Sequence, residues 1–307
     1  MKETIREHLA IHGYHGRVVS IGRLQELEEE IRLRYDRGLL DKDLYQAYLS
    51  KFDRLPPGDM PDARSLIVVA YADPPVRFAF SWRGRTAHVA VPPTYLNAQA
   101  KDAAVGRLLA EGLTPEGYRV APALAPKKLL AVRSGLARYG KNNITYVEGL
   151  GSYHRLVVFC SDHPCQEDRW IEASMLERCR SCQLCRRGCP SGAIAPDRFM
   201  LHAERCLTFW NEKPKGIAFP DWVEDSWHNC LVGCLECQRV CPENSMHIDR
   251  YEEGAGFSEQ ETALILAGED PSKLPSSLIE KMRRWDLLEL YDQLPRNLTA
   301  FLERVDG

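Results

Sequence analysis

Residues 179–190 read CRSCQLCRRGCP. Cys179, Cys182, Cys185 and Cys189, followed by Pro190, make the run C-x2-C-x2-C-x3-C-P. This is the bacterial ferredoxin arrangement, in which the fourth cysteine ligates the other cluster of a pair. Three thiolates two residues apart wrap a tight loop around one cubane. The chain then enters a helix, and the proline turns the fourth thiolate toward the neighbouring cubane. A second set follows at Cys234, Cys237 and Cys241, ahead of Pro242, and it lacks one leading cysteine. Cys206, upstream of Cys234, is the natural donor for that position. The predicted ligand sets are therefore crossed. Cys179, Cys182, Cys185 and Cys241 hold one 4Fe–4S cluster, and Cys189, Cys206, Cys234 and Cys237 hold the other.

The competing reading is a pair of zinc knuckles built from CxxC elements. Zinc sites do not call for two x3-C-P endings, so two clusters are the better expectation. Cys230, Cys234 and Cys237 also spell C-x3-C-x2-C, the pattern of radical-SAM enzymes, but Glu236 stands where those enzymes usually carry an aromatic residue. Cys230 is expected as a buried thiol, with a substitute ligand in place of Cys206 as its alternative. Cys160 and Cys165 flank the end of a predicted strand and are expected to be buried structural thiols.

Eleven cysteines in 307 residues need a reason. None precedes Cys160, and nine fall between Cys179 and Cys241. Hydrophobic content of 44% and charged content of 27% are ordinary for a globular protein. The formal net charge of −3 gives no general pull toward nucleic acid or anionic membrane. No apolar run approaches the roughly 18 residues of a membrane span. Met1–Ala10 is polar and mixed in charge, without the apolar run of a signal peptide. A cytoplasmic location follows as an expectation. Clustered cysteines there serve metal rather than disulfides.

The pattern along the chain predicts helices through residues 1–55, with Leu24, Leu27 and Ile31 at helical spacing and Pro56–Pro57–Gly58 as a stop. Ser65–Tyr71 (SLIVVAY) and Tyr153–Cys160 (YHRLVVFC) read as buried strands, and Ala87–Val91 as a further one. Helices are predicted over Tyr95–Glu111 and Ala131–Tyr139. Past residue 250, helices are predicted over Glu259–Ala267, Pro275–Arg284, Leu287–Gln293 and Leu298–Val305. The expected organisation is three consecutive segments: an α/β domain over 1–170, a two-cluster ferredoxin-like domain over 171–250 and a short helical tail over 251–307.

Several segments together resemble the epoxyqueuosine reductase family. Ala131–Asn143 (AVRSGLARYGKNN), leading to Gly151–Ser152–Tyr153, is similar to a family segment that ends in a GS-aromatic step into a strand. The ferredoxin run and the lone Cys206 in RCLTFW continue the likeness. Gly233–Asn244 (GCLECQRVCPEN) is very close to the family's second cysteine motif. A more distant likeness is to the iron–sulfur part of reductive dehalogenases. The resemblance spans about residues 60–250. It implies an α+β fold, with a degenerate nitroreductase-like α/β domain joined to a ferredoxin-like domain carrying two 4Fe–4S clusters. It also implies a cobalamin-dependent reductase, in which electrons from the clusters reach a corrinoid and then a substrate. Carried onto this sequence, the corrinoid contacts would be Tyr95, Gly135, Tyr139, Gly140, Lys141, Asn142, Gly151 and Ser152.

Where family members carry a proton-donating aspartate, this chain reads Val120–Ala121–Pro122–Ala123. The family's arginine–tyrosine–glycine stretch is replaced by His88–Val89–Ala90–Val91–Pro92–Pro93. Tyr95, Tyr139, His88 and Lys141 are alternative proton donors. The expected partners are a reduced ferredoxin or flavodoxin-type electron donor and a small-molecule substrate, with nucleic acid and membrane not expected. The rival readings are an electron carrier without corrinoid and a tRNA epoxyqueuosine reductase with a relocated acid.

Overall fold

The apolar run at residues 65–72 becomes the centre of a four-stranded antiparallel sheet, and that sheet organises the first half of the chain. The computed structural model describes residues 5–52 and 55–306. The first four residues of the expected polar N-terminus lie outside them, as do Asp53, Arg54 and Gly307. The elements up to residue 122 are α1 (Ile5–Ile11), β1 (His15–Ser20), α2 (Arg23–Asp36), α3 (Lys42–Ala47), β2 (Ser65–Ala72), β3 (Val76–Trp82), β4 (Arg85–Val91), α4 (Ala98–Leu113) and β5 (Val120–Pro122). Next come α5 (Lys127–Arg133), β6 (Arg138–Tyr139), β7 (Thr145–Tyr146), β8 (His154–Ser161), α6 (Leu184–Arg187), α7 (Leu207–Asn211) and α8 (Glu236–Arg239). β9 (Glu252–Phe257), α9 (Glu259–Ala267), α10 (Ser276–Arg284) and α11 (Leu294–Asp306) complete the α+β fold. No helix among the described residues is long and apolar enough to cross a membrane.

Two compact units share these elements. The first comprises residues 1–72, 99–183 and 195–203, and the second residues 73–98, 184–194 and 204–307. In the first, the sheet order is β1-β2-β8-β5, with every pairing antiparallel. Strand residues alternate between faces, and both faces of β2 are covered. Leu66, Val68 and Ala70 pack with α2 and α5, while Ile67, Val69 and Tyr71 pack with α1 and α4. Burial on both faces is why β2 and β8 read as unbroken apolar runs.

In the second unit, β3 and β4 form a hairpin, and β3 pairs on its other edge with β9 in parallel. Phe80 stacks on Phe257 across that parallel pair, over a core that includes Leu278, Met282 and Leu298. Ser258 and Glu261 close a capping box that starts α9.

Several elements differ from the pattern-based expectation. Residues 15–20 form a strand inside the stretch predicted as helical, because β1 completes the sheet edge beside β2. α5 ends at Arg133 rather than at Tyr139, since Gly135 takes φ 73° and turns the chain into β6. Leu287–Gln293 forms turns rather than a helix. The expected helical tail opens instead with β9, whose pairing with β3 draws residues 76–91 into the same unit as the C-terminal helices. The unit boundaries therefore run across the three consecutive segments expected from the sequence.

Candidate iron–sulfur site

Of the eight expected ligands, Cys179 and Cys182 belong to the first unit, and Cys185, Cys189, Cys206, Cys234, Cys237 and Cys241 to the second. The chain crosses from one unit to the other inside the first cysteine run. All four residues expected around the second cluster, Cys189, Cys206, Cys234 and Cys237, thus lie in one unit.

Cys206 occupies the N-cap of α7. Burial raises the Cys206 thiol above its ordinary range, and the neighbouring Cys189 adds to the rise. Burial pushes Cys234 up to about 12, with Cys206 and Glu236 contributing further, while the Asn229 amide opposes the shift. Cys189 thus acts on Cys206, and Cys206 on Cys234. A metal cluster supplies the positive charge that deprotonates a coordinating thiol. Among the described residues, no three His, Cys, Asp or Glu side chains converge closely enough to hold a single metal ion. Cysteine thiolates are the usual donors of 4Fe–4S clusters, so the donor set suits a cluster.

Buried amides fix the loop that carries Cys234. Asn211, at the end of α7, donates to the Gly233 carbonyl at 2.7 Å. Asn297 on α11 donates to the carbonyls of Asn211 and Leu231, both at 2.8 Å. The Leu231 amide donates to Ala90 in β4 at 2.9 Å. Gly233 has φ 69°, and a Cβ there would lie 3.0 Å from the Tyr95 hydroxyl, so this position accepts only glycine without strain. Asn244 donates to the Gln238 carbonyl at 2.9 Å and closes the turn after Cys241.

Cys230 is wholly buried, as expected from the sequence, and its thiol donates to Asn229 Oδ1 at 3.0 Å. Burial holds that thiol well above its ordinary range. Cys160 is also fully buried, against Met60 and the Ala121 carbonyl. Cys165 differs from its expectation: it is only half-buried, at 3.8 Å from the Val18 carbonyl. His228 is fully buried against Phe219, and neither ring nitrogen has a hydrogen-bond partner among the described residues. Desolvation lowers its pKa to about 4.

The candidate corrinoid contacts divide between the units. Tyr95 lies in the second, where its hydroxyl donates to Glu212. Burial first, and then the Glu212 charge, raise its pKa well above the usual phenol range. The others lie in the first unit, around the β6–β7 hairpin. Tyr139 is buried edge-on to Phe199, and burial pushes its pKa to about 12. A Cβ at Gly140 would collide with the Tyr146 ring and lie 2.5 Å from Asn142 Oδ1. Asn142 is buried, donating to the Tyr146 hydroxyl and accepting from the Ile144 amide. The Gly140 cradle is thus filled by the chain itself. Lys141 donates to the Cys182 carbonyl at 2.9 Å and steadies the first cysteine loop. Gly151 takes φ 57°, and its carbonyl accepts from Val147. Ser152 is buried. The next histidine, His154, bonds to the Gly151 carbonyl and Thr145 Oγ1, and desolvation lowers its pKa to about 4. Gly140 and Lys141 each also serve the chain's own fold.

Sequence reasoning missed the asparagines. Asn211, Asn229 and Asn297 are far apart in the chain, and an isolated amide in a sequence reads as surface or turn. Only their burial shows that they brace the cysteine loop.

Comparison with known proteins agrees with this site. The 4Fe–4S double cluster binding domain family matches residues 178–244, a span that holds all eight expected ligands. Epoxyqueuosine reductase from Aliivibrio fischeri is 30% identical over 142 residues, covering 46% of this chain and 37% of that protein. This chain is similar to the epoxyqueuosine reductases. The epoxyqueuosine reductase of a Synechocystis species is 27% identical over 190 residues, 60% of this chain and 64% of its own. Among the first of these curated relatives, the match covers only about a third of their length. The solved epoxyqueuosine reductase from Bacillus subtilis superposes over 98% of this chain and 80% of its own, with a TM-score of 0.70 at 21% identity. A second structure of an epoxyqueuosine reductase, with a modified tRNA-Tyr stem loop, gives a TM-score of 0.70 at 20% identity, over the same shares. At such identity the superposition establishes the shared fold.

Proposed function

We propose that this chain is an iron–sulfur reductase. Electrons from a reduced ferredoxin or flavodoxin-type donor enter through two 4Fe–4S clusters and serve the cobalamin-dependent reduction of a small-molecule substrate. The observation that carries this reading is the set of eight cysteines, two ferredoxin-type runs and the lone Cys206, all inside the span of residues 178–244 matched by the double-cluster family. The clusters supply low-potential one-electron chemistry, and a cobalamin, when bound, supplies a centre that passes those electrons to a substrate. The chain's own residues hold the sulfurs in place. Asn211 fixes the Gly233 carbonyl, Asn297 fixes the Leu231 carbonyl, and Lys141 steadies the Cys182 loop. Gly135, Tyr139, Asn142, Gly151, Ser152 and Tyr95 stay candidates for corrinoid contact on the strength of the family resemblance alone.

An electron carrier without corrinoid is the second reading. It is favoured by the filled cradle at Gly140 and the engagement of Lys141. Anaerobic purification, with iron and cobalt measured after cobalamin is offered, separates the two. About eight iron with stoichiometric cobalt supports the reductase, whereas iron without cobalt supports the carrier. Reduction of a tRNA substrate is a third possibility, tested by a tRNA titration at low salt, where binding should weaken as salt rises if phosphate contacts exist. The −3 net charge favours no binding.

A further inference from the structure

We infer that Asn229, oriented by Cys230, is a positioning residue that raises the potential of the second cluster by donating a hydrogen bond to its ligand sulfur at Cys234. The inference rests on the reading of Cys234 as a ligand. Asn229 Nδ2 lies 3.3 Å from Cys234 Sγ and donates as well to the Trp227 carbonyl at 2.9 Å. An amide can be turned end for end without changing its shape, so its orientation needs a cause. That cause is present: Asn229 Oδ1 accepts from the Leu235 backbone amide and from the Cys230 thiol, both at 3.0 Å. Two donors fix the oxygen, so the NH2 group is the end that faces Cys234. Both Asn229 and Cys230 are buried, and water does not compete for these bonds.

The chemical consequence follows from charge. Reduction adds an electron to the cluster, and much of that added negative charge is felt at the ligand sulfurs. A hydrogen bond to such a sulfur stabilises the reduced form more than the oxidised form and raises the potential. Cys230 acts one step further out and serves as a donor rather than a ligand. This explains a buried cysteine in a cysteine-rich segment that lies outside both ligand sets.

The test is an EPR-monitored redox titration of the anaerobically reconstituted full chain. Asn229→Asp replaces the donor with an acceptor. It should make reduction of one cluster at least tenfold less favourable, a shift of about 59 mV for one electron, and leave the other cluster unmoved. Cys230→Ala, which frees the amide oxygen, should lower the same potential by less, and Cys230→Ser, which keeps a donor, should restore it. If Asn229→Asp loses the cluster outright, the Cys230 pair still decides, because Ala and Ser must differ. Equal potentials in Cys230→Ala, Cys230→Ser and the unaltered chain, with iron content retained, overturn the inference and leave the ligand sets standing. Loss of about half the iron in Cys230→Ala, while Cys206→Ala keeps it all, overturns the ligand reading itself.

Discussion

Around residues 140–154, in the first unit, buried polar groups find their partners within the chain: Asn142 bonds Tyr146, and His154 bonds Thr145 and Gly151. Around residues 206–241, in the second unit, the buried amides bond backbone carbonyls. The thiols of Cys206 and Cys234, by contrast, meet a few weak donors and one another. The first region pairs its buried polar groups internally, and the second gathers the cysteines of the span matched by the double-cluster family. The contrast is between a region held by its own hydrogen bonds and one whose sulfurs suit a cluster.

Substitution at Cys206 should break this comparison most strongly. Cys206→Ala is expected to lower the iron content from about eight to about four per chain, with the other cluster still visible by EPR. Apart from Lys141, which bonds the Cys182 carbonyl, no residue of the 140–154 region should alter iron content when substituted.

Acid should affect the first region by a different route. The folded pKa of His154 is depressed to about 4, while the unfolded value is about 6.5. The unfolded state therefore binds a proton that the folded state refuses. Stability is fully present above pH 6.5 and falls as the pH drops toward 4, by up to about 3 kcal/mol for this group. Desolvation dominates, and Lys128 and His15 act in the same direction. Hydrogen-exchange protection factors along β8, corrected for the intrinsic rate at each pH, should fall over that interval, and the effect should shrink in His154→Gln.

Gly140→Ala sharpens the comparison at smaller scale. A Cβ forced against Tyr146 and Asn142 should destabilise the β6–β7 hairpin by about 1–3 kcal/mol, with iron content unchanged. An unchanged stability would mean the cradle is open and available to a ligand. The smallest effect is expected from Lys141→Met, which removes one hydrogen bond to Cys182 and should cost about 1 kcal/mol, read as easier loss of iron under chelation.

The cysteine spacing, the buried strands at 65–72 and 154–161 and the α+β class were legible in the sequence, because ligand spacing and continuous apolar runs are local signals. The VRFAFSW of β3 also carries the period-2 alternation of a half-buried strand. β1 and β9 were not legible. β1 is short with little periodicity, and the Gly-containing EEGAGF of β9 carries no strand signature; it is a strand because β3 offers it an edge. The crossing of the chain between units within the first cysteine run was hidden for the same reason, since nonlocal pairing decides it. Gly140 and Lys141 were legible as candidate corrinoid contacts, and the structure gives each an internal partner. The bracing asparagines left no sequence signal beyond their type.

The central claim is that the cysteine-rich region carries two 4Fe–4S clusters held by eight thiolates, and its most direct test is the iron and acid-labile sulfide content of the anaerobically purified chain, read together with EPR of the reduced protein. The account predicts about eight iron and eight sulfide per chain, with the spectrum of two interacting reduced clusters. A chain that retains zinc in place of iron after reconstitution, or that saturates at four iron with a single cluster signal, would contradict it.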